Sequence, residues 1–123
     1  MKEVAFVIGP DQTVLAVHSA DAVPDAIPDS RTHWLQIWDN RAIVVGTVHT
    51  HPGAGRPVPS TRDVHTFSAI DLGVGRRLRY WIATRRHLVV CNHVGPGAYD
   101  YGWAEVIGAP SWLERLRALS YAE

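Results

Sequence analysis

The chain has little of what a secreted, membrane or nucleic-acid-binding protein needs. Its single cysteine, Cys91, allows no intramolecular disulfide, which is typical of a reducing cytoplasm. No apolar run approaches the roughly 20 residues of a membrane span, and the N-terminal run is too short for a signal peptide. Twelve basic residues balance 12 acidic ones, so no net charge attracts a polyanion. We therefore expect a cytoplasmic protein that engages neither membrane nor nucleic acid.

The composition favours one folded domain. The chain has 123 residues, 46% of them hydrophobic, and five tryptophans. This length supports one hydrophobic core but not two. No internal repeat or low-complexity tract interrupts it. We expect a single domain over residues 1–123.

Short apolar, β-branched runs and segments of helical periodicity predict strands interleaved with helices. The strands are predicted at residues 4–8, 13–18, 42–51, 79–84, 87–92 and 103–107. Helices are predicted after Ser30, over residues 61–72 with an end at Gly73, and after Ser111. Residues 20–29 are predicted to form a surface loop. This alternation indicates an α/β sandwich around one sheet.

Helical spacing also predicts which side chains are buried. Trp34, Ile37 and Trp38 share one face of the first helix. Ser111 and Glu114 form a candidate capping box for the last helix. Its predicted inward residues are Trp112, Leu113, Leu116 and Leu119.

Four histidines and the single cysteine show no catalytic pattern. His18, His33, His87 and His93 have no paired spacing, so we interpret them as surface or capping groups. Cys91 lies in an apolar strand and is interpreted as a core residue.

The segment His49-Thr50-His51-Pro52 closes an apolar strand and carries two imidazoles. Residues two apart on a strand point to the same face, so His49 and His51 can meet one ion. Ser60 is a candidate helix N-cap, which puts Asp63 on the first helical turn. Two nitrogens and one oxygen leave a fourth position open for water, the pattern of a catalytic zinc site.

Helical periodicity strengthens the prediction for Asp63. This residue shares a face with Phe67 and Ile70, the apolar stripe of the helix. An acid on a buried stripe is costly unless it is paired, hydrogen-bonded or bound to a metal. A cation held by His49 and His51 would compensate it. A capping box alone would also explain Ser60 and Asp63, and the two roles are compatible.

A glutamate, then His-x-His-Pro, then Ser-x-x-Asp resembles the JAMM (MPN-plus, JAB-domain) zinc metallopeptidases. The resemblance runs from Glu3 through the helix after Asp63, although the eight residues between His51 and Ser60 are one more than is usual. It implies a three-layer α/β sandwich, with a mixed sheet flanked by helices, of the JAMM/MPN, cytidine-deaminase-like type.

The resemblance also implies roles for individual residues. His49, His51 and Asp63 would hold one catalytic Zn²⁺, with water as the fourth ligand. Glu3 would be the general base, and Ser60 would donate to the oxyanion of the tetrahedral intermediate. Nothing in the local sequence places Glu3 near His49.

Members of this family cut peptide or isopeptide bonds after the C-terminal glycine of ubiquitin or ubiquitin-like proteins. The resemblance therefore implies such a substrate, with residues 95–103 as a candidate contact for its tail. Two alternatives stay open. One is a non-catalytic scaffold that binds a ubiquitin-like partner, and the other is a zinc hydrolase acting on a different amide.

Overall fold

A computed structural model describes residues 1–20 and 30–122, so the loop predicted for residues 20–29 lies outside the described residues apart from Ala20. The strands are β1 (Glu3–Ile8), β2 (Val14–Ala20), β3 (Gly46–Thr50), β4 (Arg79–Ala83), β5 (Leu88–His93) and β6 (Tyr101–Glu105). The helices are α1 (Arg31–Asp39), α2 (Thr61–Val74) and α3 (Leu113–Tyr121). No helix in this described part combines the length and apolar character that crossing a bilayer requires.

The six strands form one mixed sheet in the order β2-β1-β3-β4-β5-β6. Neighbouring strands are antiparallel except β3 and β4, which are parallel because α2 returns the chain between them. The carboxyl end of β3 and the start of α2 therefore lie at the same end of the sheet.

Helices cover both faces of the sheet. On one face, α3 packs through Trp112, Leu113 and Leu116 against a layer that includes Phe6 and Val48. On the other face, α1 and α2 contribute Ile37, Phe67 and Ile70 to a second layer, which also contains Val7, Tyr80, Ile82 and Cys91. The predicted three-layer α/β sandwich is confirmed, and so is the burial of Cys91.

The third predicted strand is too long. Residues 42–45 precede β3, because the amides of Ile43 and Val44 donate to Asn40 and form the turn that follows α1. The strand begins at Gly46, where a Cβ atom would lie 2.0 Å from the carbonyl oxygen of Arg79. β6 also lies two residues earlier than predicted.

Helix α2 runs past the predicted stop at Gly73. The ring of Trp34 packs so closely on Gly73 that a Cβ atom there would lie 2.7 Å from it. Gly73 therefore serves helix packing. The left-handed residue that ends the helix is Gly75, with a φ of 87°.

Two predicted core residues are exposed, and one predicted cap is absent. Trp38 is 39% exposed with the Arg41 guanidinium over its ring, and Leu119 is 40% exposed. Trp112 occupies the N-cap position of α3 without a side-chain cap, so the Ser111–Glu114 capping box does not form. The buried apolar faces of α1 and α3 therefore each contain one residue fewer than the helical spacing predicts.

Candidate metal centre

Strand β3 sends its two histidines towards α2. Val48 belongs to the core layer beneath α3, so the alternating neighbours Thr47 and His49 point to the opposite face. His51 follows the last residue of β3 and keeps this alternation, because its amide donates to the Ala83 carbonyl at 2.8 Å. His49 is almost fully buried, and His51 is half-buried.

The first turn of α2 holds Asp63 against these imidazoles. Ser60 Oγ accepts from the Asp63 amide at 3.1 Å, and Asp63 Oδ2 accepts from the Ser60 amide at 2.9 Å. This reciprocal capping box orients the carboxylate. Phe67 and Ile70 continue the same buried stripe. The predicted burial of Asp63 is therefore observed, with only 3% of the residue exposed.

The three side chains converge at distances that fit one metal ion. The two Nε2 atoms of His49 and His51 are 3.0 Å apart. Asp63 Oδ1 lies 3.4 Å from His49 Nε2, and Asp63 Oδ2 lies 3.7 Å from His51 Nε2. Bonds of about 2.0–2.1 Å to a tetrahedral zinc ion place its ligand atoms about 3.3 Å apart. The three residues can hold a metal ion, and a nitrogen-rich donor set with one carboxylate suits zinc.

Burial and mutual contact shift the ionisation of these groups towards the forms that bind metal. Burial, together with the nearby His49, lowers the pKa of His51 to about 4, against the opposing effect of Asp63. Burial alone would raise the pKa of Asp63, but the contacts with His49, the Ser60 amide and His51 lower it to about 2. At neutral pH the His51 imidazole is neutral and the Asp63 carboxylate is charged, as metal ligands must be.

The same cleft contains the two residues predicted as base and oxyanion donor. The register of β1 with β3 pairs Ala5 with His49, so Glu3, two residues earlier, comes opposite His51. An open cleft of about 210 Å³ is lined by Glu3, both histidines, Ser60 and Asp63. The structure thus brings all five predicted site residues to one cleft.

Two residues at the site were not anticipated from the sequence. Arg62 also lines the cleft, and its position beside Asp63 was the available signal. His33, interpreted from the sequence as a surface or capping group, is instead buried on α1, where it lines a small cavity with His49 and Asp63. Burial, followed by the proximity of His49 and His18, lowers its pKa to about 4. Its spacing of four from Ile37, on the buried stripe of α1, was the overlooked signal.

Comparison with protein families identifies the relationship. A family described as prokaryotic homologs of the JAB domain matches residues 3–99. The chain belongs to this family. The match begins at Glu3 and contains every residue of the candidate metal centre, and the sandwich described above is the JAB/MPN fold of this domain. No curated protein matches the chain at a significant level. In this JAB domain, β6 and α3 lie beyond the matched region, which ends in the segment that leads into β6.

Proposed function

We propose that this JAB domain is a zinc-dependent metallopeptidase that hydrolyses the peptide or isopeptide bond after the C-terminal glycine of a ubiquitin-like protein. The observation that carries the proposal is the convergence of His49, His51 and Asp63 at tetrahedral spacing, in a cleft that Glu3 also enters. Membership of the JAB family supports a hydrolase.

Each residue of the cleft has a chemically distinct task. His49, His51 and Asp63 would hold the zinc ion. When bound, zinc lowers the pKa of water and polarises a substrate carbonyl. Glu3 takes the proton from the attacking water and returns it to the leaving amine. These tasks explain why a carboxylate outside the ligand set lies beside His51.

Ser60 is placed to stabilise the oxyanion that forms during hydrolysis. Its Oγ accepts from the Asp63 amide, so the hydroxyl proton remains available to donate. The side chain is exposed to the cleft, and the capping box restrains its position. A preorganised donor of this kind contributes about 3 kcal/mol to transition-state stabilisation.

Two features of the surface support a glycine-ended tail as the substrate. A cleft of about 210 Å³ admits a main chain without side chains more readily than a bulky segment. In the described part of the chain, β6 is an edge strand whose unpaired main-chain groups suit the addition of an extended peptide. Arg56, in the loop that follows the histidines, lies 5.0 Å over the Trp103 ring of this strand. This contact supports residues 95–103 as the tail contact.

The proposal is tested by metal analysis and cleavage assays on the same preparations. The substrates are a ubiquitin-like protein joined through its C-terminal Gly-Gly to a reporter, by a peptide bond in one and an isopeptide bond in the other. We expect the wild-type chain to retain about one zinc after dialysis and to cleave. Glu3→Gln should retain zinc while its turnover falls at least about 100-fold, and His49→Ala should lose the metal. His87→Ala, outside the cleft, is the matched histidine control.

The outcomes separate the alternatives. A wild-type chain that binds the ubiquitin-like protein and zinc but cleaves nothing would indicate a scaffold. Cleavage of a small peptide amide without cleavage of either fusion would indicate a zinc hydrolase with another substrate. Wild-type turnover by Glu3→Gln would refute the assignment of the general base.

A further inference from the structure

We infer that α3, on the opposite face of the sheet from the metal centre, positions both His51 and Glu3 through Ser120 and Tyr121. The inference rests on the proposed function, because it assigns positioning residues to that site. Both residues lie beyond the region that the family match covers. Neither lines the cleft, so any effect on it passes through the strands.

Tyr121 holds the main chain at His51. Its hydroxyl donates to the carbonyl oxygen of His51 and lies 3.1 Å from the carbonyl oxygen of Ala83. That Ala83 oxygen accepts from the His51 amide at 2.8 Å. The peptide groups on both sides of His51 are therefore fixed, although β3 has ended one residue earlier. Without the hydroxyl, the His51 carbonyl loses this partner, and the imidazole loses a restraint on its direction.

Ser120 holds the main chain on both sides of Glu3. Its hydroxyl donates to the Lys2 carbonyl at 2.6 Å, and its own carbonyl accepts from the Lys2 amide at 3.0 Å. The hydroxyls of Ser120 and Thr50 are 2.8 Å apart, and Thr50 accepts from the Val4 amide at 3.0 Å. Lys2 and Val4 flank Glu3, so both neighbours of this carboxylate are tied to the end of α3.

The burial of these groups makes the contacts effective. Ser120 and Thr50 are 1% and 0% exposed, so water cannot replace the lost partner of either hydroxyl. The Tyr121 hydroxyl is protonated at neutral pH even at the ordinary tyrosine pKa of about 10, so it is able to donate. Because Thr50 lies between His49 and His51 and points the other way, α3 restrains the metal-binding segment from behind.

The test compares hydroxyl deletions of equal chemical size. Tyr121→Phe removes the bond to His51, while Tyr80→Phe removes a buried hydroxyl that bonds Phe67 and Asp71, away from the cleft. Both should lower the unfolding temperature. Only Tyr121→Phe should weaken zinc affinity, by about 10-fold or more, and alter the visible spectrum of the Co²⁺-substituted protein. Equal zinc affinities and spectra in the two variants would overturn the role of Tyr121.

The second comparison addresses Glu3. Ser120→Ala should lower kcat about 10-fold with little change in KM, and the exposed neighbour change Leu119→Ala should leave kcat unaltered. An unaltered kcat in Ser120→Ala would overturn the role of Ser120. A wild-type chain that bound no metal and cleaved no substrate would instead overturn the proposed function, and this inference with it.

Discussion

Acidification is expected to destabilise the fold through His33, which lies beside the candidate metal centre and outside its set of three ligands. Burial of His33 on the inner face of α1, together with the nearby His49 and His18, lowers its pKa from 6.5 to about 4. The folded state therefore resists a proton that the unfolded chain accepts readily. The stabilisation is complete above about pH 6.5 and is lost as the pH falls towards about 4, because the unfolded state then binds more protons.

The magnitude follows from this shift. On going from about pH 7.5 to about pH 4.5, the free energy of unfolding should fall by about 2 to 3 kcal/mol because of His33 alone. The assay is urea unfolding at both pH values in the presence of a chelator, for the wild-type chain and for His33→Gln. The difference between their two pH dependences isolates His33, since the other titrating groups are common to both.

His93→Gln serves as the control. This histidine lies on β5, three positions along the sheet from β1, a strand that α1 packs against, and its Nε2 contacts the Gly97 carbonyl at the surface. It should reproduce the wild-type pH dependence far more closely than His33→Gln does. If His33→Gln lost as much stability on acidification as the wild-type chain, burial of a neutral His33 would not be the cause.

Two further predictions concern buried groups away from the cleft. Asp71 accepts from the Leu78 amide and from the hydroxyls of Tyr80 and Tyr101 at 2.6–2.9 Å. Asp71→Asn turns one of these acceptors into a donor, so the free energy of unfolding measured in urea should fall by about 2 kcal/mol. Zinc affinity should not change. If Asp71→Asn unfolded at the same urea concentration as the wild-type chain, these hydrogen bonds would not be important for stability. Burial raises the pKa of Cys91 to about 12, so a thiol reagent should label it only when the chain unfolds in urea, and rapid labelling of the native protein would refute its burial.

The cluster of His49, His51 and Asp63 was predictable because its arrangement depends on local geometry. His49 and His51 share a face through the two-residue period of a strand, and Asp63 joins Phe67 and Ile70 through the period of a helix. A capping box then sets the direction of the carboxylate within four residues of chain. Only the contact between β3 and α2, which brings the three side chains together, could not be predicted without the fold.

Features that depend on contacts between elements were less predictable. Gly73 was predicted to end α2, but a glycine is present there because Trp34 of α1 packs on it, and the helix ends at Gly75 instead. The spacing of His33 from Ile37 predicts that His33 is buried, but nothing in α1 itself shows that this face of the helix meets His49 and Asp63. In both cases the deciding partner is distant in sequence, so a periodic pattern contains no information about it.

The position of Glu3 shows how the hydrophobic core decides the chemistry. Val4, Phe6 and Ile8 face α3, and this alternation leaves Glu3 on the face of His49. A slip of one residue in β1 would send these apolar side chains to the wrong layer and Glu3 into the core beneath α3. Both faces of β1 are buried, so the slipped side chains would stay in apolar layers and the cost would be one of fit. Overfilling a packed layer costs about 1–3 kcal/mol, and a carboxylate buried there without a partner costs more. The packing beneath α3 therefore sets the register, and the register places the proposed base opposite His51.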